Sequence, residues 1–414
     1  MDIIIGGGIT GLSYAMFKEN DEYNILEAQP QIGGYCKTTK RNGFVWDYSG
    51  HFFHFRNEEI EKLVLNGFSQ KNLVDVVKNT KIFYKKTLVE YPFQKNIHQL
   101  PKNEFIECLY DLFNIEDSEY TTFKQMLYSK FGKGIAEKFL IPYNSKLYAT
   151  DLNQLDKDAM GRFFPYAEKE EIVKNFKAND NQSYNATFKY PRGGAVEYIK
   201  SIVGHIDNSK ISTEAEVVNV DVVKKEITLA SGEAIKYDRL ISTMPITRLY
   251  DLASVKYDKN LYSWNKVLVF NLGFNKKGPI SEVHWMYFPE EEYPFYRVGF
   301  YDNIMGTNKT SLYVELGFSK DAKVIPNMFL GKVISGLKKA GLITNDMELI
   351  DFESIIMDPA YVHITSKSIQ DVAAKKDMLS NFDIYSIGRY GSWTYCSIED
   401  NIIEAKGLAE RLNK

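Results

Sequence analysis

The stretch that decides the fold is Asp2-Ile3-Ile4-Ile5-Gly6-Gly7-Gly8-Ile9-Thr10-Gly11, followed by Leu12-Ser13-Tyr14-Ala15-Met16-Phe17. Residues 2–5 read as a buried strand and 12–17 as a helix, with G-x-G-x-x-G between them. In that context Gly6 permits a tight turn, Gly8 lets the backbone approach a pyrophosphate, and Gly11 lets the helix lie close to the strand. The helix N-terminus offers unpaired N–H groups and a positive dipole end to the anion. Tyr23-Asn24-Ile25-Leu26-Glu27 reads as a second strand ending in an acid, at the spacing of a carboxylate that binds ribose hydroxyls. A lone G-x-G-x-x-G could be an ordinary glycine turn. The flanking strands and Glu27 make it a dinucleotide site.

A second glycine-rich stretch follows, Gln31-Ile32-Gly33-Gly34-Tyr35-Cys36 and then Gly43-Phe44-Val45-Trp46-Asp47-Tyr48-Ser49-Gly50-His51. It resembles the G-G segment of the amine-oxidase-like flavoprotein superfamily, which lies beside the flavin pyrophosphate and ring. That resemblance implies FAD as the cofactor, with contacts from Gly33, Gly34, Gly50, His51, Val218, Gly388 and Arg389.

Composition excludes several classes. A chain of 414 residues carries a formal net charge of −3, with no basic excess to neutralise nucleic-acid phosphates. Cys36, Cys108 and Cys396 are widely separated and odd in number, which suits neither a metal site nor a disulfide framework and points to a reducing compartment. Met1-Asp2 and the short apolar run after it do not read as a signal peptide, and no apolar run approaches the roughly 18–20 residues of a membrane span. The expected location is cytoplasmic. Aromatic residues make up 14% of the chain, and aromatics line pockets for planar ligands as well as filling cores.

Farther along, the pattern predicts helix from Asn57 to about Val77 and a hairpin over 81–91 turning near Lys85-Lys86-Thr87. Residues 101–180 read as mostly helical, 209–243 as alternating strands with a turn at Ser231-Gly232, and 266–318 as several strands. Residues 384–389 read as a strand and 400–412 as a helix, returning the chain to the first domain. The expected fold is α/β. A Rossmann-like FAD-binding domain (1–56, about 185–245, 380–414) is completed by the C-terminus. Into it are inserted a helical domain (about 57–80 and 98–184) and an antiparallel β-sheet substrate domain (about 81–97 and 246–379).

Six ordered blocks carry a more specific likeness: Tyr91-Pro92-Phe93-Gln94-Lys95-Asn96-Ile97, Pro142-Tyr143-Asn144-Ser145-Lys146-Leu147-Tyr148-Ala149, Asn185 to Gly194, Ser242-Thr243-Met244, Tyr287-Phe288-Pro289-Glu290 leading to Arg297, and Gly388 to Tyr395. In this order they resemble the UDP-galactopyranose mutase family, the eukaryotic type more than the common bacterial one. The resemblance implies uracil and sugar contacts from Tyr91, Phe93, Gln94, Asn144, Tyr148 and Asn185. It implies diphosphate contacts from Arg162, Arg297, Tyr287, Tyr361 and Tyr395, and catalytic roles for Arg162, Arg297 and His51. Arginine's planar fork suits phosphate oxygens. In the implied reaction N5 of reduced FAD attacks the anomeric carbon of a UDP-sugar, and ring opening and reclosure interconvert pyranose and furanose without net redox. Implied partners are the UDP-sugar and a reductant such as NADPH or NADH; a homo-oligomer is possible, and galactofuranose for cell-wall or other glycans is the implied product.

Some residues depart from that family. Tyr148 stands where tryptophan is usual and His54 where an aromatic is usual. Thr394 replaces a basic residue, and Cys396-Ser397-Ile398-Glu399 breaks the pattern, so the sugar side is less well kept than the uridine and diphosphate side. Another UDP-hexose or a UDP-pentose is therefore open. A redox flavoenzyme acting on an amine, lipid or porphyrin, and a non-catalytic UDP-sugar binder, are the competing readings.

Overall fold

The computed structural model describes residues 1–66, 68–115, 119–178 and 186–413. Strand Asp2–Ile5 lies at the centre of a five-stranded parallel sheet, in the order Ile384–Ser386, Arg239–Ser242, Asp2–Ile5, Tyr23–Leu26, Ile211–Ser212. Successive side chains of a strand point to opposite faces. Ile4 and Ile25 thus join Leu12, Tyr14, Ile202 and Ile402 beneath helices Ile9–Met16, Val196–Val203 and Ile398–Leu412. Ile3 and Ile5 join Val217, Ile227 and Leu229 of a three-stranded antiparallel sheet on the other face. Burying an isoleucine stabilises by about 1.5–3 kcal/mol. Coverage of both faces is why the strand is apolar throughout.

The second large sheet is mainly antiparallel, in the order Leu349–Met357, Ser263–Phe274, Ser311–Ser319, Arg297–Phe300, Trp285–Tyr287, Thr80–Tyr84, Thr87–Glu90. Alternation again sorts its faces. Val298, Phe300, Leu312, Val314 and Leu316 pack with Val333 and Leu337 of helix Asn327–Lys339. Trp285, Tyr287, Arg297 and Tyr313 occupy the intervening positions, and all four line the cavity described below. The hairpin over 80–90 turns at Lys85 and Lys86, both with left-handed backbone (φ 46° and 64°), the geometry that matches strand twist in a two-residue turn.

A helical layer completes the molecule: Lys102–Phe113, Phe123–Ile135, Ile141–Tyr148 and Lys169–Ala178. Its core (Leu112, Phe123, Leu127, Phe131, Phe139, Leu147) is shared with Tyr84 and Val89 of the hairpin and with Tyr296. Gly132 interrupts the second helix with φ 72°, and a side chain there would meet the backbone of Asp111 at 2.6 Å.

Three expectations need correction. The helix expected to run from Asn57 to Val77 covers only Glu58–Leu65, capped by the Asn57 side chain accepting from the N–H groups of Glu59 and Ile60. Leu73-Val74-Asp75-Val76-Val77 forms a strand pairing with Thr187–Pro191, because its valines prefer extended backbone. That helix sends Ile60 and Val64 into the core of the nucleotide-binding layer rather than into the helical layer. Helices Ile246–Leu252 and Ser366–Ser380, expected in the substrate domain, pack Leu249 and Leu379 against the parallel sheet. Among the described residues, no helix is long and apolar enough to cross a membrane, no group of His, Cys, Asp and Glu could hold a metal ion, and the three cysteines are unpaired.

Candidate functional site

A single cavity of about 760 Å³ runs from the glycine loop to the face of the antiparallel sheet. At its first end lie Gly6, Gly8, Glu27, Gln29, Gly33, Gly34 and Lys37. Gly6 has φ 104°, a conformation that favours glycine. A Cβ on Gly11 would stand 2.1 Å from the Gly6 carbonyl oxygen, so the helix is seated as close to the loop as the sequence predicts. Gly8 is the N-cap of helix Ile9–Met16 and carries no capping side chain, which leaves the first N–H groups for a ligand. Buried Glu27 accepts from the N–H of Gly7 (2.8 Å) and of Gln29 (2.8 Å). Each carboxylate oxygen retains a lone pair for a ribose hydroxyl. The donor set of this end fits the adenosine and pyrophosphate of a dinucleotide.

The middle of the cavity is walled by Ser49, Gly50, His51, Arg389, Tyr390 and Asn401. Gly388 does not line the cavity itself. It turns the chain with φ 87° against Thr10, where a side chain would clash with the threonine hydroxyl, and so delivers Arg389. The Arg389 guanidinium donates to the carbonyls of Cys396 (3.1 Å) and Ala360 (3.4 Å) and lies over the ring of Tyr395 (4.7 Å). Its Nε has no partner, and the titratable groups that act most on its charge are Tyr390, Tyr395, Cys396 and Tyr361 rather than a carboxylate. A half-buried cation in the cavity wall without a carboxylate partner suits an anionic ligand. Burial, reinforced by the charge of Arg389, pulls the His51 imidazole down to about 4, and its buried Nδ1 has no partner. His51 is therefore neutral at physiological pH.

Arg297, Tyr287, Tyr361 and Tyr395 line the far end of the cavity, with Tyr91 and Asn144 beside them. Arg297 is fixed by Glu315 through two parallel bonds, from Nε (2.8 Å) and Nη2 (2.6 Å). Burial pushes the phenols of Tyr287, Tyr361 and Tyr395 up, so they remain hydrogen-bond donors. Tyr361 and Tyr395 stack with ring centroids 5.7 Å apart.

Other expected residues stand elsewhere or, like Asn144, are already engaged by the protein. Phe93 is fully buried in the helical layer, stacked on Phe139 at 5.0 Å, because Phe93–Lys95 is a 3-10 turn rather than an extended segment. Gln94 donates its amide to the carbonyl of Pro165, a cavity residue, and its Oε1 is buried without a partner. Tyr148 packs edge-on to Tyr361, and its hydroxyl is likewise buried and unpartnered. Asn144 donates to the carbonyl of Leu140 (2.6 Å), leaving Oδ1 without a partner. Arg162 lies at the rim, 41% exposed, and is held by Asp400 at 2.5 Å, so it does not join Arg297 in the cavity wall. Val218 is 43% exposed on strand Val217–Asp221 and does not line the cavity. Asn185 lies outside the described residues.

Sequence reasoning missed Tyr143, Trp285 and Tyr313 in the wall, Thr10 and Lys37 at the cofactor end, and Glu315 behind Arg297. One carried a signal: Tyr143 adjoins Asn144 in a quoted block.

This loop, sheet order and cavity define an FAD-binding protein with a Rossmann-like domain. The chain belongs to the flavin containing amine oxidoreductase family, whose pattern matches residues 12–280, and its cofactor is FAD. It is 25% identical over 182 residues to the coproporphyrinogen III oxidase of Bacillus subtilis (strain 168), a match covering 42% of this chain and 34% of that relative. Among solved structures it is similar to reduced UDP-galactopyranose mutase, with a TM-score of 0.92 and 24% identity over 99% of this chain and 93% of that one. A putative protoporphyrinogen oxidase from Exiguobacterium sp. 255-15 follows at TM-score 0.77 and 17% identity, covering 100% and 98%. At these identities the likenesses establish the fold.

Proposed function

We propose that this protein is a flavin-dependent mutase that interconverts the pyranose and furanose forms of a UDP-sugar, UDP-galactose first among them, with no net redox. The observation that supports it is the far end of the cavity, where Arg297 and the phenols of Tyr287, Tyr361 and Tyr395 converge. Neutral phenol donors and one guanidinium suit a diphosphate that must be held and then released. Reduced FAD supplies, when bound, an electron-rich nitrogen able to act as a nucleophile toward an anomeric carbon.

The residues of the chain have the remaining tasks. Arg297, whose guanidinium lines the cavity, would donate to the departing diphosphate, and a hydrogen bond to such a charged group is worth about 1.5–3 kcal/mol. The phenols share the same charge without titrating. Arg389 neutralises anionic charge near the middle of the cavity, and neutral His51 offers a hydrogen bond without adding charge. Asn144 lines the cavity with its Oδ1 unpartnered, an acceptor that a nucleotide's polar edge would satisfy, while the unpartnered Gln94 Oε1 and Tyr148 hydroxyl lie behind the lining. Arg162 would reach a diphosphate by exchanging Asp400 for it.

A second reading is favoured by the coproporphyrinogen III oxidase relative: a redox flavoenzyme in which Arg297 and Arg389 bind substrate carboxylates. Incubating the protein anaerobically with dithionite and UDP-galactopyranose, then chromatographing the nucleotides, separates the two. A new UDP-furanose peak is expected. Failure with UDP-galactose and with other UDP-hexoses and UDP-pentoses, together with oxidation of a porphyrinogen in air, would replace the mutase by the oxidase.

A further inference from the structure

Glu315 is fully buried on strand Ser311–Ser319, does not line the cavity, and faces two groups that do. On one side its carboxylate takes both Nε and Nη2 of Arg297. On the other, the same oxygen that binds Nη2 accepts the hydroxyl of Ser49. Ser49 begins the Ser49-Gly50-His51 turn and holds φ 75°, a region where serine is seldom found. The turn is tight: the N–H of His51 donates to the carbonyl of Ser49 (2.9 Å), and that carbonyl also accepts the Tyr301 hydroxyl (3.3 Å). Gly50 could bear no side chain there, since its Cβ would meet the Tyr313 hydroxyl at 2.6 Å.

The carboxylate therefore has two consequences. It offsets the charge of Arg297, so that side of the cavity carries a neutral ion pair where an isolated cation would otherwise lie. It also makes the position of the anion-binding guanidinium and the position of the cofactor-facing turn depend on one group. We propose that Glu315 is a positioning residue that couples the anion bound at Arg297 to the Ser49-Gly50-His51 turn and, by offsetting the arginine's charge, sets how readily the flavin is reduced. The proposal rests on the mutase reading only for the identity of the anion, a nucleoside diphosphate.

The coupling is tested on FAD-loaded wild type, Glu315→Gln and Ser49→Ala, by the midpoint potential of the flavin and by the change in flavin absorbance on titrating UDP. Glu315→Gln leaves Arg297 as an uncompensated cation, which favours the anionic reduced flavin. A shift of the oxidised–reduced equilibrium by about tenfold is expected, ~30 mV to more positive potential for a two-electron couple. Ser49→Ala keeps the ion pair, so its potential should stay near wild type and UDP should still bind, while the UDP-induced absorbance change is lost. A wild-type potential in Glu315→Gln, or an undiminished absorbance change in Ser49→Ala, overturns the proposal, as does a wild-type flavin whose spectrum ignores bound UDP. Should Glu315→Gln fail to fold, Ser49→Ala decides alone. If UDP does not bind wild type at all, the UDP-sugar reading fails, and the potential of Glu315→Gln still tests the residue.

Discussion

Gly8→Ala at the N-cap and Gly11→Ala three residues on, within helix Ile9–Met16, should fail in different ways. At Gly8 the backbone is ordinary (φ −83°), and a Cβ would come no nearer to the protein than 3.7 Å, at the Cα of Gly34. The protein alone therefore tolerates the methyl group, at a cost of at most about 1 kcal/mol for a poorer N-cap. The methyl lies in the cavity wall beside the Gly33-Gly34 turn, where the pyrophosphate has to approach. At Gly11 the Cβ would stand 2.1 Å from the Gly6 carbonyl oxygen and 3.2 Å from Ile4. Backbone has to move, and forced overpacking of this kind costs about 1–3 kcal/mol or more before any ligand is considered. Thermal melts of the FAD-stripped proteins, repeated with FAD at about a hundred times its wild-type Kd, read both effects. Wild type should gain about 2.7 kcal/mol from the cofactor. Gly8→Ala should melt near wild type when stripped and gain almost nothing, whereas Gly11→Ala should already be destabilised when stripped. Full FAD stabilisation of Gly8→Ala would show that the pyrophosphate does not sit on this loop.

Further outcomes follow from the same geometry. Arg297→Ala should weaken UDP binding at least about tenfold, from the loss of a charged hydrogen bond worth about 1.5–3 kcal/mol. It also strands buried Glu315, so stability should fall by about 3–5 kcal/mol, and calorimetric UDP titration must be read beside a melt. Gln94→Ala should free the Pro165 carbonyl and loosen the rim, raising the Kd for UDP while leaving turnover of saturated enzyme nearly unchanged; an unaltered Kd would detach this residue from the nucleotide. Burial pulls the imidazoles of His51, His54, His284 and His363 down to about 4, against about 6.5 unfolded. Between those values the unfolded chain binds more protons, so stability should fall as pH drops through the window, by up to about 1.4 kcal/mol per pH unit for each histidine. Asp47, raised by burial to about 6, takes up its proton in the folded state first and opposes the loss there; urea midpoints at pH 7, 5.5 and 4.5 measure the balance.

The glycine loop, Glu27 and the central strand were legible because each depends on neighbours a few residues away. The same holds for Lys85-Lys86, where a two-residue turn between strands has few solutions. That Arg297, Tyr287, Tyr361 and Tyr395 would share one cavity was legible only through block order, since nothing local distinguishes them from ordinary surface arginines and core tyrosines. Phe93 was misplaced because alternate residues share a face only in an extended chain, and Pro92 leads into a 3-10 turn. Leu73–Val77 was misread because helical spacing was carried past Leu65, although β-branched residues had replaced the charged ones. Glu315 could not be found from sequence. A charged residue alternating with Val314 and Leu316 looks like the wet face of a strand, and only the tertiary approach of Arg297 and Ser49 makes burial tolerable.

The central claim, that a flavin site is used here without net redox, is tested most directly by stoichiometry. FAD-loaded protein, reduced once by a known amount of dithionite under anaerobic conditions, is given a large excess of UDP-galactose. Flavin absorbance and nucleotide chromatography are then followed together. Many sugars converted per flavin are expected while the absorbance stays that of the reduced cofactor. One flavin oxidised for each molecule of product would contradict the claim and make the protein an oxidoreductase.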